Sequence, residues 1–414
     1  MLDIQFIRDN AKLVQEKSKQ KGYKTDIPAL LKLDESRREL MGKIEALRAE
    51  RNQISDALKG GNPSTEQIKR GREAKEQIAQ AEALLDPVSK TYETLIQGVP
   101  NVHFDDVPVG GEELSAEIRH FGDKPTGAKD HLDFATKRGW IDFERGAKVA
   151  GTKFYYLKGD LALLENALTQ FALDMVVKKG FNFITVPHMV NSRVAMGSGF
   201  APRSSEQSDE YFVEGEDLSL IATAEIPLTG YHADEIIDEA HLPLLYAGLS
   251  PCYRKEAGTY GKHDHGLFRV HQFNKLELYA YALPEKSQEM HEQILGIEEE
   301  IWQAINIPYR IINVASGDLG APPAKKYDIE YWSKADGVYR ELTSCSNCTD
   351  YQARNLNIRV RRGSGKVEIV HTLNGTAVAS ARSLVAILEH YQTADEKLKV
   401  PEVLQQYMGG RSVI

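Results

Sequence analysis

At 414 residues, with 42% hydrophobic content, the chain is long enough for two domains and has ordinary composition for a water-soluble fold. A formal net charge of -9 excludes a global attraction to polyanions, so any nucleic-acid contact must come from a local basic patch. No apolar run approaches the roughly 18 residues of a membrane span, and the opening Met1-Leu-Asp-Ile lacks a cationic-then-apolar leader pattern, so a cytoplasmic protein is expected.

Residues 30–58 carry a heptad pattern. Leu33, Leu40, Leu47 and Ile54 are seven apart, with Leu30, Ile44 and Leu58 on the companion row and Arg37 and Arg51 interrupting it. Gly60-Gly-Asn-Pro63 then breaks the helix. The return stretch places Gly71, Ile78, Leu85 and Tyr92 on one row and Ala74, Ala81, Val88 and Leu95 on the other. Two such stripes predict an antiparallel helical hairpin over about 27–97, roughly 45 Å long at 1.5 Å per residue. Asp86-Pro87 is expected to kink or end the second helix. Between Arg48 and Lys75 there are seven cations and four acids, so the distal half is basic within an acidic chain. That leaves two readings, a dimerising or spacer coiled coil and a lever that touches phosphates through Arg48, Arg51, Lys69, Arg70 and Arg72.

The Pro-, Gly- and Asp-rich stretch from Gly98 to about Glu117 reads as a linker. Beyond it, helices at 161–179 and 285–305 mix with strand signals at 210–221, 244–256, 267–282, 308–315 and 364–371. Turns rather than crossover helices separate most of these strands, which predicts an α+β body with an antiparallel sheet. Neither common phosphate loop, Gly-x-x-x-x-Gly-Lys-[Ser/Thr] or Gly-x-Gly-x-x-Gly, is present. Three cysteines, Cys252, Cys345 and Cys348, are too few for a four-thiolate zinc site, and no zinc is expected.

The richest segment is Arg254-Lys255-Glu256, a Gly-studded connection, then Arg269-Val270-His271-Gln272-Phe273 and Glu277. From Phe268 to Ala280 the odd positions carry Arg269, His271, Phe273, Lys275, Glu277 and Tyr279, and the even ones are mostly apolar. A strand separates these sets onto opposite faces. A solvated sheet face is the plainer reading. Against it stand the matching i, i+2 pair Arg254 and Glu256, and a connection too long for a tight hairpin. Together they suit a site that closes on a nucleoside triphosphate.

These residues resemble the second signature motif of class II aminoacyl-tRNA synthetases, in the form of the seryl-tRNA synthetase family. Thr223-Ala224-Glu225 is similar to that family's amino-acid loop. Glu341-Leu342-Thr343-Ser344, running on to Tyr351-Gln-Ala-Arg354, is similar to its metal and ATP segment. His371-Thr-Leu-Asn374-Gly-Thr376, followed by Arg382, is similar to its third motif, and Pro187 to the first-motif proline at the dimer interface. The resemblance runs essentially end to end.

It implies an N-terminal tRNA-binding domain at 1–105 and an antiparallel-sheet catalytic domain at 106–414. It implies ATP-dependent conversion of L-serine to seryl-adenylate and transfer to the 3′ end of tRNA(Ser), and of tRNA(Sec) where one exists, by a homodimer using Mg²⁺. Arg254 is then expected at the α-phosphate and serine carboxylate, and Arg382 at the γ-phosphate. Glu341 and Ser344 would ligate the metal, Glu256 would meet the adenine amino group, and Phe273 would stack on the ring. Lys255, Arg269, Val270, His271, Gln272, Leu342 and Thr343 complete the expected ATP surface. Thr223 and Glu225 are expected at the serine ammonium, Glu277 and Thr376 at its hydroxyl, with Ala224 and Asn374 beside them; a plain helix cap is the alternative for Glu225. Lys262 is expected to meet the tRNA acceptor end. Two other readings are a non-catalytic tRNA-binding paralogue and an adenylating enzyme that loads carrier proteins.

Overall fold

The computed structural model describes residues 1–58, 64–200, 210–256 and 266–414. The chain divides into two compact units, Met1–Val102 and His103–Ile414. Among the described residues no helix is long and apolar enough to cross a membrane.

The first unit is helical, with α1 (Ile4–Asp9), α2 (Ala11–Gln20), α3 (Ile27–Leu58) and α4 (Thr65–Gln97). The last two pair along the anticipated seams. Leu30, Ile44, Ala74, Ile78, Ala81 and Tyr92 are buried, while Leu33, Leu40, Leu47 and Ile54 are half-buried. Arg37, which interrupts its apolar row, lies 5.0 Å from the Tyr92 ring centroid, so the cation finds an aromatic face instead of breaking the seam. A capping box starts α4: Ser64 Oγ accepts from the Gln67 amide at 3.2 Å and Gln67 Oε1 accepts from the Ser64 amide at 3.0 Å. Pro87 does not end the helix. It sits inside α4, and Thr91 donates to its carbonyl at 2.9 Å. The Gly60–Pro63 break lies outside the described residues.

The second unit is built on an eight-stranded sheet, with β1 (Ala116–Phe121), β2 (Asn182–Thr185), β3 (Leu244–Tyr253), β4 (Gln272–Ala282), β5 (Tyr309–Asn313), β6 (Lys325–Trp332), β7 (Tyr339–Thr349) and β8 (His371–Ala379). The strand order is β1-β5-β6-β7-β8-β4-β3-β2, antiparallel except for β2 beside β3. Helices α5 (Asp160–Lys178), α7 (Ser287–Ile305) and α8 (Ser380–Tyr391) contribute to the main core with one face of the sheet, where Leu276, Leu278, Ala280 and Ala282 are buried. A second core, including Ile226 and Leu228 of the short helix α6 (Glu225–Gly230), takes Tyr279 and Tyr281 from the other face. The period of two read in β4 is therefore real, but its charged half is enclosed rather than solvated.

Four strand assignments need correction. The 267–282 segment opens with a 3₁₀ turn at Gly266–Phe268, and the strand starts only at Gln272. The 244–256 strand stops at Tyr253; two residues past Arg254, Glu256 takes φ 49°, in the left-handed region, where an extended ladder cannot continue. The 210–221 and 364–371 segments form only short strands in two small sheets. Strands β6 and β7 received no assignment above, although Tyr327, Ile329 and Tyr331 alternate legibly with Lys326, Asp328 and Glu330.

Candidate active site

Two irregularities in the sheet build the site. In β6–β7 the partners run Asp328↔Ser344, Ile329↔Thr343, then Glu330↔Glu341, so Leu342 is an extra residue. The bulge brings Glu341 and Ser344, three apart and hence on opposite faces of a regular strand, onto one face. In β4–β8 the partners run Leu276↔Val378, then Glu277↔Thr376, which makes Ala377 extra. Thr376 and Asn374 are thereby set on the same face as Glu277 and Tyr279, and Ala379 joins Lys275 there.

An open cleft lies over this face. It is lined by Arg254 and Glu256 at the end of β3, by Arg269, Val270 and Phe273 leading into β4, by Glu341 to Ser344 on β7, by Thr376 and by Arg382. The Arg254 guanidinium stands 5.2 Å from the Phe273 ring centroid, and its Nε donates to the Ala222 carbonyl at 3.4 Å. Arg269 pairs with Glu256 at 2.6 Å, and Arg382 with Glu341 at 2.9 Å. Arg382 lies in the first turn of α8, where the helix dipole disfavours a cation, and its balancing charge comes from across the cleft.

Behind the cleft is a smaller, buried group of polar side chains. Glu277 is fully buried, ion-pairs with Lys275 and accepts from Asn374 Nδ2 at 3.1 Å. Glu225 is brought close because Gly248, paired with Glu277 on β3, has no side chain; a Cβ there would lie 3.1 Å from Ala224 and 3.0 Å from Leu228. Thr223 Oγ1 accepts from the Glu225 amide at 3.2 Å, and Gln352 Nε2 donates to Glu225 Oε1 at 2.7 Å. Burial, and then the facing charge of Glu277, pushes the Glu225 carboxyl up to about 7. Such a pair of acids is ready to share a cation.

Comparison with known proteins identifies the family. Residues 1–103 match the seryl-tRNA synthetase N-terminal domain, and residues 211–391 match the tRNA synthetase class II core domain (G, H, P, S and T). A serine–tRNA ligase of Dictyoglomus thermophilum is 46% identical over 99% of this chain and 98% of its own length. The chain belongs to the seryl-tRNA synthetase family. Among solved structures, the Pyrococcus horikoshii seryl-tRNA synthetase complexed with ATP superposes with a TM-score of 0.91 at 41% identity, covering 100% of this chain and 99% of that one. The Naegleria fowleri cytoplasmic serine–tRNA ligase in complex with AMP gives 0.86 at 34%, covering 100% and 98%.

Not every residue expected at the site of this synthetase reaches it. His271 turns away, its Nδ1 2.8 Å from the Arg254 carbonyl and its ring against Phe154 and Tyr211. Lys255 lies over the rings of Tyr211 and Phe212. Gln272 is exposed where β4 begins, paired with Tyr253. In a segment this close to a bend, alternation cannot tell a ligand from a brace. Lys262 lies outside the described residues. On the arm, Arg48 pairs with Glu82 at 2.7 Å, Arg70 with Glu50 at 2.6 Å and Lys69 with Glu73 at 3.9 Å, while Arg51 and Arg72 are exposed. The three cysteines are buried free thiols.

Two contributors were missed above. Gln352 ties Glu225 to Tyr279 and Thr372, accepting from their hydroxyls at 3.1 and 2.7 Å. No local periodicity marks it. Phe268 carries the guanidinium groups of Arg340 and Arg382 on its ring, at 5.1 and 4.9 Å. An aromatic just before the charged run was the available signal.

Proposed function

We propose that the protein activates L-serine with ATP to give seryl-adenylate and pyrophosphate, then esterifies the 3′-terminal ribose of tRNA(Ser). The convergence of Arg254, Glu341, Ser344 and Arg382 on one cleft, with Glu225 and Glu277 buried behind it, carries this reading. Activation is an in-line attack by the serine carboxylate on the α-phosphorus. The nucleophile is already ionised, so the site needs alignment and charge neutralisation rather than a base. Arg254 forks onto the α-phosphate and the incoming carboxylate, and Arg382 onto the γ-phosphate side. Phe273 offers a face to the adenine ring and Glu256 an acceptor for its amino group.

Glu341 and Ser344 offer two hard oxygens on one strand face, which fits Mg²⁺, an ion that takes one or two protein ligands and completes its shell with phosphate and water. When bound, the ion would neutralise phosphate charge. Glu341 and Ser344 would hold the ion, and Arg382, paired with Glu341 in this structure, would face the phosphate.

Serine sits with its ammonium at Thr223 and Glu225 and its hydroxyl at Glu277 and Thr376. A serine-dependent ATP–pyrophosphate exchange assay tests the reading, and no exchange by folded protein would point to a non-catalytic tRNA binder. Glu277→Ala is expected to raise the KM for serine about a hundredfold while moving that for ATP little, because only the amino acid loses a buried partner. Equal damage to both would make Glu277 structural.

The raised Glu225 carboxyl makes serine use depend on pH. Below about 7 the group is protonated and cannot balance an ammonium; above it, it can. The groups facing it are Glu277, Lys275, Arg254 and Gln352. We expect kcat/KM for serine to rise from about pH 6 to about pH 8, and Glu225→Gln to flatten the rise. An unchanged profile in that variant refutes the assignment. Stability runs the other way. The folded value lies above the ordinary 4.5, so the increment is present in full below that and is lost as pH climbs to about 7.

The exposed Leu163 and Val177 of α5 and Phe183 of the edge strand β2 support assembly as a homodimer through this side of the sheet. The surplus of cations on the arm supports a grip on the phosphates of tRNA(Ser), and of tRNA(Sec) where one exists. Action in the cytoplasm follows from these substrates.

A further inference from the structure

Glu298 has no role in the scheme above, and it is a costly residue. It lies on α7 among Ile294, Leu295, Ile301 and Trp302, with no exposed surface. Among the described residues no basic group pairs with it, and its carboxyl oxygens make no hydrogen bond of full geometry, only looser approaches from the Thr343 hydroxyl and the Thr376 amide. Burial pushes its carboxyl well above the usual range, and the nearby charges of Glu277 and Asp328 push the same way, so it stays neutral. A leucine or methionine would fill such a place without desolvating a carboxyl group.

Its position gives the residue a purpose. Glu298 presses on β8 from the helix side at Gly375, where a Cβ would lie 2.6 Å from its Oε1 and 2.3 Å from Ile294 Cγ2. The Thr343 hydroxyl and the Thr376 amide act on the carboxyl from the sheet. Gly375 stands between Asn374 and Thr376, whose side chains reach the opposite face beside Glu277. A small movement of that one peptide therefore moves both residues against the substrate.

We propose that Glu298 is a positioning residue of the amino-acid pocket, its carboxyl group seating the Gly375–Thr376 peptide from beneath the sheet. This rests on the reading that Glu277, Asn374 and Thr376 receive serine. Glu298→Met fills the same volume without polar atoms, and Glu298→Gln keeps both shape and hydrogen-bonding capacity. In pyrophosphate exchange, the Met variant is expected to keep its Tm, raise the KM for serine about tenfold and leave the KM for ATP within about twofold. It should also discriminate less well against threonine. The Gln variant is expected to restore serine use to near the native level. A native serine KM in Glu298→Met, an equal rise for ATP, or a Gln variant no better than Met overturns the proposal. So does a Met variant that cannot be obtained folded, because the carboxyl would then hold the core rather than the pocket. Glu277→Ala measured in parallel separates the two levels: if it too leaves serine KM unchanged, the pocket itself is misassigned.

Discussion

Arg254→Ala is expected to lower kcat for serine-dependent pyrophosphate exchange by about three orders of magnitude while leaving Tm nearly unchanged. Of the three arginines lining the cleft among the described residues, Arg269 and Arg382 are balanced by Glu256 and Glu341. Among the described residues no carboxylate pairs with Arg254; its guanidinium is braced by the Phe273 ring and the Ala222 carbonyl. A planar fork held by a ring on one face and by its Nε on one edge keeps its other donors for a ligand. The charge it meets grows at the α-phosphorus during attack, so its loss is felt in kcat rather than only in binding. Arg254→Lys should recover little, since a point charge on a flexible stem neither stacks on Phe273 nor forks. Exchange within about tenfold of the native rate in Arg254→Ala would remove this residue from the reaction.

Deleting residues 36–92 and closing the gap with a short turn is expected to abolish charging of tRNA(Ser) while adenylate formation stays within about threefold of native. The hairpin has its own seam of Leu30, Ile44, Ala74, Ile78, Ala81 and Tyr92, and the catalytic unit has separate cores on the two faces of its sheet. Among the described residues, those lining the cleft belong to the second unit. Arg51 and Arg72, exposed on the arm, would be lost with it. The contacts proposed there are ionic, so charging by the intact protein should weaken as salt rises, and exchange should not. Full charging after the deletion would refute the arm's role. It would also reopen the carrier-loading alternative, in which the arm is dispensable.

Much of this molecule is legible from local pattern. The heptad rows of residues 30–58 and 71–95 anticipate which side chains are buried in α3 and α4, because a helix places every seventh residue on one stripe whatever surrounds it. The two-residue period of β4 likewise separates Leu276, Leu278 and Ala280 from Lys275, Glu277 and Tyr279. Pro87 shows the limit of such rules. Its local preference to end a helix yields where α4 continues on both sides with Ala81 and Tyr92 buried in the seam. His271 shows another: it shares a strand-like period with ligand candidates, yet its ring nitrogen meets the Arg254 carbonyl.

What the chain determined by itself is the set of elements and the chemistry it carries: a helical hairpin, a sheet strand of alternating character, and guanidinium and carboxylate groups in a recognisable order. Local steric periods dictate these, and they need no distant partner. The assembled structure alone decided that Glu341 and Ser344 share a face, that Thr376 stands beside Glu277, and that Glu298 lies beneath Gly375. Each depends on the register between strands or on a helix pressed against a sheet, and such registers are selected by packing among residues far apart in the chain.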